Sequence, residues 1–435
     1  MHRLVSCLLT VAGCLPAQPA GSHVPVETRV WVATKIYSAI QVYFAHAEGA
    51  PQFDLDRDYQ GYLKSAFQTD DRRAFDLATM AFIAKLRNGH SGFYDDWLVQ
   101  QYGQDLGFAL QPMGEGWVVV SSRISEVNPG DIVTSVDGKP IDRLYREMEG
   151  FIDGSSEMAR RRKFGYKVWL WPDNFDLGLA NGRHAPIRRR AQTLGEPRSF
   201  PFPQGPVSTP KGVGYIQIRS FEQPSFEKAA LTQLKALMGA KVILLDVRGN
   251  GGGSTPNGLI DALLDRSWRD FRYTTPLFNG HAGAENQVRK AFPQASADPY
   301  TKGYLDAFEE FRDAQMITPG TLHPAAPDAY HGKVYLLVDA DCASACEDLV
   351  EPFKASGRGI LVGEATAGSS GQPYYFDFGN GMSFRISSKR YYLPDGSPFE
   401  GVGLKPDVEV HLSLDDMKAG RDVVFLKAVE LAAKN

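Results

Sequence analysis

Ser344 is the residue of this sequence best suited to nucleophilic chemistry. It lies among small residues, in Ala343-Ser344-Ala345-Cys346, shortly after the apolar run Val334 to Val338. This order predicts a buried strand that turns into a helix. A serine at such a turn gains from the helix dipole and from neighbouring N–H donors. The alternative is a serine that only caps the helix.

A glycine-rich turn provides candidate partners for such a nucleophile. The apolar run Val242 to Leu245 leads into Asp246-Val247-Arg248-Gly249-Asn250-Gly251-Gly252-Gly253. Glycines allow unusual backbone dihedral angles, so their N–H groups can point into a site and form an oxyanion hole. A phosphate-binding loop would need a following Gly-Lys-Ser/Thr, which this sequence lacks. A tight structural turn is the other alternative.

A general base and a carboxylate are available in two further loops. His90 lies in Asn88-Gly89-His90-Ser91-Gly92, and Glu400 lies in the turn-rich segment Pro394 to Asp407. Taken alone, each has an ordinary explanation, a surface histidine and an acidic loop residue. Together with a nucleophilic serine they would provide the residue types of a catalytic triad.

Three types of segment must hold these residues. Apolar spacing predicts an amphipathic helix over residues 26–48, and two further helices are expected over 56–67 and from the cap Thr69-Asp70 to the residue before Asn88, the last of which delivers the His90 loop. Short strands and turns follow in 103–150, and 151–210 is assigned to the end of that domain and a linker. From Gly212 strands alternate with helices, which predicts an α/β core with a mostly parallel sheet. Residues 255–330 interrupt this rhythm and are predicted to form a cap.

Composition excludes several function classes. The chain has 435 residues and a formal net charge of −4, so no global field attracts nucleic acid. Two basic clusters, Arg160 to Lys163 and Arg188 to Arg190, are expected to be solvated faces because no aromatic residues interleave with them. No Cys/His spacing matches a zinc site, so neither a metal nor another cofactor is expected.

The first twenty residues are typical of an export signal. A basic start, a short apolar run and small residues follow in order. Cys14, in Val11-Ala12-Gly13-Cys14, is a lipidation candidate, with simple cleavage as the alternative. An exported protein enters an oxidising compartment, so Cys342 and Cys346 could form a short disulfide. We expect instead two small buried thiols, because so short a loop often fails disulfide geometry.

In combination these segments resemble the C-terminal processing (tail-specific) serine peptidases, and more closely their tricorn-core branch. The resemblance rests on the His90 loop, the glycine turn, the nucleophile motif, Gly363-Glu364-Ala365-Thr366-Ala367-Gly368, and Glu400 to Asp407, all in the family's order. Relatives with a Ser-Lys dyad carry a lysine after Gly368, where this chain has Ser369. Tricorn has a serine directly before its histidine, where this chain has Gly89.

The resemblance implies a mechanism and an architecture. Ser344, His90 and Glu400 would be the triad, and the N–H groups of Gly252 and Ala345 would hold the oxyanion. The fold would be an α/β crotonase/Clp-protease-like peptidase core with an N-terminal helical bundle and an inserted PDZ-like domain. In that domain Leu106, Gly107 and Phe108 would bind a peptide. The implied divisions are a signal segment 1–20, a bundle 21–100, a PDZ-like domain and linker 101–200, and a core 201–435 with the cap 255–330.

The expected function is hydrolysis of protein or peptide substrates, with C-terminal recognition as one option. The expected location is the periplasm or the outer membrane as a lipoprotein, with secretion as the alternative. A non-catalytic peptide- or ligand-binding relative and an acyl-CoA enzyme are the rival interpretations, since folds outlive their chemistry. Oligomeric state and substrate identity do not follow from the sequence.

Overall fold

The structure is a computed structural model that describes residues 21–114, 116–200, 208–277, 315–369 and 371–434. The described α-helices are α1 (Val26–Tyr43), α2 (Leu55–Ala66), α3 (Arg72–Ala84), α4 (Asp96–Tyr102), α5 (Ile141–Met148), α6 (Glu157–Phe164), α7 (Pro224–Ala236), α8 (Asn257–Leu263), α9 (Ala345–Ser356), α10 (Leu414–Lys418) and α11 (Val423–Ala433). The described strands are β1 (Gly92–Asp95), β2 (Phe108–Met113), β3 (Gly116–Ser122), β4 (Ile132–Val136), β5 (Lys139–Pro140), β6 (Asn174–Leu179), β7 (His184–Arg188), β8 (Arg198–Ser199), β9 (Val213–Gln217), β10 (Val242–Asp246), β11 (Trp268–Arg269), β12 (Arg272–Pro276), β13 (Gln315–Thr318), β14 (Leu322–His323), β15 (Lys333–Val338), β16 (Gly359–Gly363), β17 (Pro373–Gly379), β18 (Met382–Ser387), β19 (Arg390–Tyr392) and β20 (Val408–Glu409).

A five-stranded sheet in the order β20-β16-β15-β10-β9 forms the centre of the core. All neighbouring pairs are parallel, as the alternating strands and helices predicted. Every residue of β10 is buried, because helices cover both faces of a parallel sheet. One face packs on α7, α8 and α9, and the other packs on α11. The carboxyl ends of the neighbours β10 and β15 therefore lie side by side.

The N-terminal helices α1 to α3 pack around an apolar cluster of their own. This cluster also includes Met382, Phe384 and Ile386 of β18, which belongs to the C-terminal half of the chain. Strand β18 pairs with β1, the strand that follows the His90 loop. The hairpin β17–β18 therefore joins the helical bundle to the core and fixes where that loop lies.

A separate antiparallel sheet lies between these two parts in the sequence. Its strands run in the order β2-β3-β4-β6-β7, and α5 and α6 accompany them around one apolar cluster. We call residues 106–199 the middle domain. Strands β6 and β7 occupy a region that the sequence assigned to a domain end and linker. The alternating burial of β7, His184–Arg188, is concealed in the sequence by adjacent basic residues.

The two basic clusters are solvated only in part: Arg188 and Arg190 are exposed as predicted, but Arg189 and Arg160 are buried. Arg189 is 5% exposed and donates to the carbonyl groups of Gln104, Trp171 and Tyr102. In α6, Arg160 is buried, and Arg162 forms an ion pair with Asp341 at 2.6 Å. Backbone carbonyls and carboxylates supplied by distant segments stabilise these guanidinium groups. A composition argument cannot anticipate such partners.

The signal segment and Cys14 lie outside the described residues, as does the middle of the expected cap, 278–314. The described parts of 255–330 form α8 and β11 to β14. Their function as a cap stays a prediction. Within the described ranges, no helix has both the length and the apolar character needed to cross a membrane.

A buried ion pair fastens the bundle to the hairpin. Arg72 donates to both carboxylate oxygens of Asp95, at 2.6 and 2.8 Å, and to the Asn380 carbonyl at 2.5 Å. Arg72→Met should lower the free energy of unfolding by about 3–5 kcal/mol, because it leaves the Asp95 carboxylate buried without its partner. Urea unfolding followed by circular dichroism measures this change. Arg57→Met is the control and should change it by less than about 1 kcal/mol, because the Arg57 side chain is 65% exposed and Asp58 keeps Lys85 as a partner. Equal effects of the two substitutions would contradict the prediction.

Candidate active site

Ser344 lies at the turn between β15 and α9, as the sequence predicted. It is the residue before the helix, and its backbone has φ 55° and ψ −124°. A positive φ is rare and strained for any residue but glycine, and it persists only where the surroundings enforce it. Such strain at the start of a helix is typical of nucleophile turns. Ser344 is partly exposed, whereas Ala345 and Cys346 are buried.

A disulfide closes this turn. Cys342 and Cys346 are bonded to each other, so the expectation of two free buried thiols was wrong. The Cα atoms are 5.4 Å apart, within the usual range for a disulfide. The first turn of α9 brings the two side chains together, a geometry that the spacing alone did not reveal. The bridge spans Ser344 and limits the freedom of its backbone.

The carboxylate of Glu347 connects the nucleophile turn to the loop after β16. Its Oε2 accepts hydrogen bonds from the N–H groups of Ser344 at 3.1 Å and Ser369 at 3.0 Å. Its Oε1 accepts from Thr366 Oγ1 at 2.5 Å and the Gly368 N–H at 2.7 Å. Burial raises the pKa of Glu347 to about 8, although the donors from Thr366, Ser369 and Gly368 act in the opposite direction. The four donors directed at its oxygens stabilise the ionised form, which burial disfavours.

The glycine turn lies against Ser344, but Gly252 is not the free donor that the sequence predicted. Its N–H donates to Asn250 Oδ1 at 2.9 Å, in the hydrogen bond of an Asx-turn. A Cβ at Gly252 would lie 2.8 Å from Ser344 Cβ and 3.0 Å from the Ala345 nitrogen. Gly252 therefore provides space for the nucleophile turn. In the described part of the chain the Ala345 N–H has no acceptor, so it is available for an oxyanion.

His90 is held by its own loop and by Ser369. Its backbone N–H donates to Asn88 Oδ1 at 3.0 Å, and its ring atom Nδ1 lies 3.3 Å from Ser369 Oγ. Ser369 in turn accepts the Ser344 N–H through its carbonyl, at 2.9 Å. Burial, followed by the charges of Arg385 and Lys163, lowers the pKa of His90 to about 3. The imidazole is therefore neutral near pH 7, as a general base requires.

Gly89 leaves room for the Ser369 hydroxyl. A Cβ at Gly89 would be 2.6 Å from Ser369 Oγ, so a side chain there and the hydroxyl in its present place exclude each other. The residue that replaces the dyad lysine thus occupies the space beside the histidine. In this chain the hydroxyl beside the imidazole comes from Ser369, whereas in tricorn a serine directly precedes the histidine.

Glu400 lies in a buried polar network behind the His90 loop. Its Oε1 accepts from Ser155 Oγ at 2.6 Å and from Asn88 Nδ2 at 3.1 Å. Its Oε1 is also 3.9 Å from Nδ1 of His46, a buried residue whose Nε2 contacts the Lys389 carbonyl. Asn88 therefore connects Glu400 to the His90 backbone. Burial and the Arg390 charge lower the pKa of His46 to about 3, so this imidazole is neutral.

Sequence reasoning missed four residues of this network. Asn88 carried a signal, since it precedes the histidine in the quoted loop. Ser369 was noted only as the place of an absent lysine. Ser155 comes from the middle domain and His46 from the segment between α1 and α2, and no sequence pattern connects them to Glu400.

The expected peptide-binding residues are part of the middle domain's own structure. The side chains of Leu106 and Phe108 are buried in its apolar cluster, and the Gly107 N–H donates to Asp105 Oδ1 at 2.8 Å. Strand β2 is at the edge of its sheet. Only the backbone of this segment could meet a peptide, so binding by strand addition stays a prediction.

Gly252→Ala should reduce labelling of the protein by a fluorophosphonate probe by about a hundredfold, because displacement of reacting groups by about 1 Å has effects of that size. The new Cβ would meet the Ala343 carbonyl oxygen at 2.6 Å, at a backbone φ of 97°. Gly251→Ala is the matched control. A Cβ there meets no heavy atom within 4 Å. It should leave the labelling rate within about twofold. Equal rates for the two variants would show that Gly252 provides no essential space.

Gly89→Ala should lower the labelling rate by about fivefold, because the added Cβ displaces the Ser369 hydroxyl from His90 Nδ1 and one hydrogen bond is worth about 1 kcal/mol. The double variant Gly89→Ala with Ser369→Gly removes the clash. If the hydroxyl orients the ring, the double variant should be as slow as Ser369→Gly alone. Additive losses in this cycle would contradict the shared cause.

Comparisons with known proteins agree with this arrangement. Residues 212–410, which contain the central sheet and the nucleophile turn, match peptidase family S41. The chain is 22% identical over 387 residues to the carboxy-terminal processing protease CtpA of Bacillus subtilis, covering 84% of this chain and 70% of that protein. It is 26% identical over 209 residues to the C-terminal processing peptidase of Tetradesmus obliquus, a match that spans only 36% of that chloroplastic protein and 47% of this chain.

The fold of the whole chain is similar to that of one solved structure. Mature CPAF, in a complex with lactacystin, superposes with a TM-score of 0.69 over 94% of this chain and 98% of that chain, at 15% identity. At this identity the likeness concerns the fold alone. Because the superposition covers 94% of this chain, the likeness includes the helical bundle, the middle domain and the core. Through residues 212–410, its α/β core, the chain is similar to peptidase family S41, a family of serine-type peptidases.

Proposed function

We propose that the protein hydrolyses peptide bonds with Ser344 as nucleophile, His90 as general base and Glu400 as the stabilising carboxylate. The observation that carries the proposal is the strained Ser344 backbone at the start of α9, with the Ala345 N–H beside it and the neutral His90 reached through Ser369. A serine that only caps a helix needs neither a positive φ nor a histidine nearby.

In the first step Ser344 Oγ attacks the scissile carbonyl carbon, and His90 Nε2 takes its proton. This assignment uses the ring nitrogen that faces away from Ser369, with Nδ1–H donating to the Ser369 hydroxyl. The Ala345 N–H, strengthened by the helix dipole, would hold the oxyanion, and one such donor is worth about 3 kcal/mol of barrier. The leaving amine then takes the proton from the imidazolium, and water repeats the sequence on the acyl-enzyme.

Formation of the imidazolium is the expensive step, because burial and two nearby cations disfavour a positive ring. Glu400 is the carboxylate that could offset this cost. Its connections through Asn88 and Ser155 hold it behind the His90 loop. Glu400 would then act by stabilising charge and by fixing the loop, with Ser369 setting the ring orientation.

Export of the protein and a substrate with a free C-terminus are further parts of the proposal. The disulfide at the nucleophile turn favours an oxidising compartment, and the first twenty residues provide a signal for one. The relatives CtpA and the chloroplastic peptidase are named for C-terminal processing. The antiparallel middle domain would play the part of a PDZ domain, and the core that of a crotonase/Clp-like peptidase. Periplasmic, lipid-anchored and secreted forms fit equally.

A non-catalytic binding protein is the alternative, and one experiment separates it from an enzyme. The purified protein is treated with a fluorophosphonate probe and, in parallel, with denatured casein. We expect wild type to be labelled and to cleave casein. Ser344→Ala and His90→Ala should lose both activities, and Glu400→Gln should retain labelling at a rate reduced by more than tenfold, as for other triad carboxylates.

Ser65→Ala, an exposed serine at the end of α2, is the control and should behave as wild type. Wild type that neither labels nor cleaves would favour the binding protein. Labelling that survives His90→Ala at the wild-type rate would assign the general base to another residue.

A further inference from the structure

Three cationic side chains meet beside the His90 loop, and we call them the cationic cluster: Lys163 and Lys167, at and after the end of α6, and Arg385 of β18. Lys163 and Lys167 both bond to Asp153, the latter at 2.6 Å to Oδ1. Among the described residues Arg385 pairs with no carboxylate, and its Nε is buried without a hydrogen-bond partner. Three cations therefore face one carboxylate.

The cluster is part of the wall of the candidate active site. Arg385 Nη2 donates to the carbonyl of Gly89, the residue before His90, at 3.1 Å. Asp153 lies two residues before Ser155, whose hydroxyl donates to Glu400 and accepts a hydrogen bond from the Gly89 N–H of the loop. The charges of Arg385 and Lys163 are also the main electrostatic influences on His90. An anion bound here would thus lie next to the catalytic base.

The cluster is still open to solvent, although protein surrounds it. The side chains of Lys163 and Lys167 are 33% and 15% exposed, and Arg385 is partly exposed. The Tyr94 ring lies 5.3 Å from the guanidinium carbon and is itself 37% exposed. Like charges held close together repel one another, and packing inside the protein does not offset this repulsion. A guanidinium beside an ammonium is the arrangement that recognises carboxylates.

We propose that the cationic cluster binds a carboxylate group of the substrate, either its free C-terminus or an acidic side chain near the scissile bond. This inference rests on the proposed peptidase function and names a substrate chemistry for it. It differs from C-terminal recognition by the middle domain, because the cluster adjoins His90 and includes a residue of β18.

Such a carboxylate would act on the reaction as well as on binding. Its negative charge would offset the cations that oppose a positive imidazole, so His90 would accept the Ser344 proton more readily. The expected signature is a change in kcat, not in KM alone, when the carboxylate is removed from the substrate.

The test uses wild-type protein and a synthetic peptide copied from a fragment that it cuts in denatured casein. The peptide is compared with its C-terminal amide and, separately, with a version in which Asp and Glu are replaced by Asn and Gln. One change should lower kcat/KM by about tenfold, the usual scale for a charge-assisted hydrogen bond, and should lower kcat. Whichever version loses activity identifies the source of the carboxylate. Equal rates for all three peptides overturn the proposal.

Lys163→Gln should reduce the ratio of rates between the preferred peptide and its neutral version towards one, and Lys163→Arg should restore it. Lys427→Gln, which removes an ion pair with Glu430 on α11, is the matched control and should keep the wild-type ratio. A full ratio in folded Lys163→Gln contradicts a role for the cluster. If Lys163→Gln does not fold, the comparison of peptides on wild type still decides. Wild type that cleaves no peptide and takes no probe overturns the peptidase function itself, whereas cleavage without preference overturns only the cluster.

Discussion

The buried carboxylate of Glu347 is the interaction on which the site depends. Its two oxygens accept four hydrogen bonds, from the N–H group of Ser344 on one side and from three donors of the 366–369 loop on the other. These hydrogen bonds hold the nucleophile turn, which follows β15, in a fixed position relative to the 366–369 loop, which follows β16. An amide in its place would direct N–H groups at N–H groups, so no neutral substitute satisfies the same four donors.

Hydroxyl and amide groups, not a direct carboxylate contact, surround His90 in the described contacts. The family's dyad lysine is replaced by Ser369, whose hydroxyl occupies the space that Gly89 leaves empty. Glu400 lies one step further away, tied to the loop by Asn88. In the proposed mechanism this division separates ring orientation, by Ser369, from charge stabilisation, by Glu400, two roles that a single carboxylate fills in simpler triads.

The parallel sheet of the core could be predicted from the sequence, because short apolar runs that alternate with helical segments are compatible with few other structures. Strand β10, Val242–Asp246, coincides with the apolar run Val242 to Leu245 and extends one residue beyond it, and the nucleophile turn follows β15 as expected. What failed were statements about individual polar groups. The Gly252 N–H is taken by Asn250, and Arg189 points inward to carbonyls of distant segments. These outcomes depend on which atoms the fold brings together, and local composition does not record that.

The site is assembled from segments that are far apart along the chain. Asn88 and Glu400 are separated by 312 residues, and the His90–Ser369 contact by 279. Contacts of such long range form late and slowly, because the entropy of closing the chain must be lost first. A growing chain therefore contains His90 long before it contains Ser369 and Glu400. The candidate site can be assembled only once the last part of the polypeptide has been made.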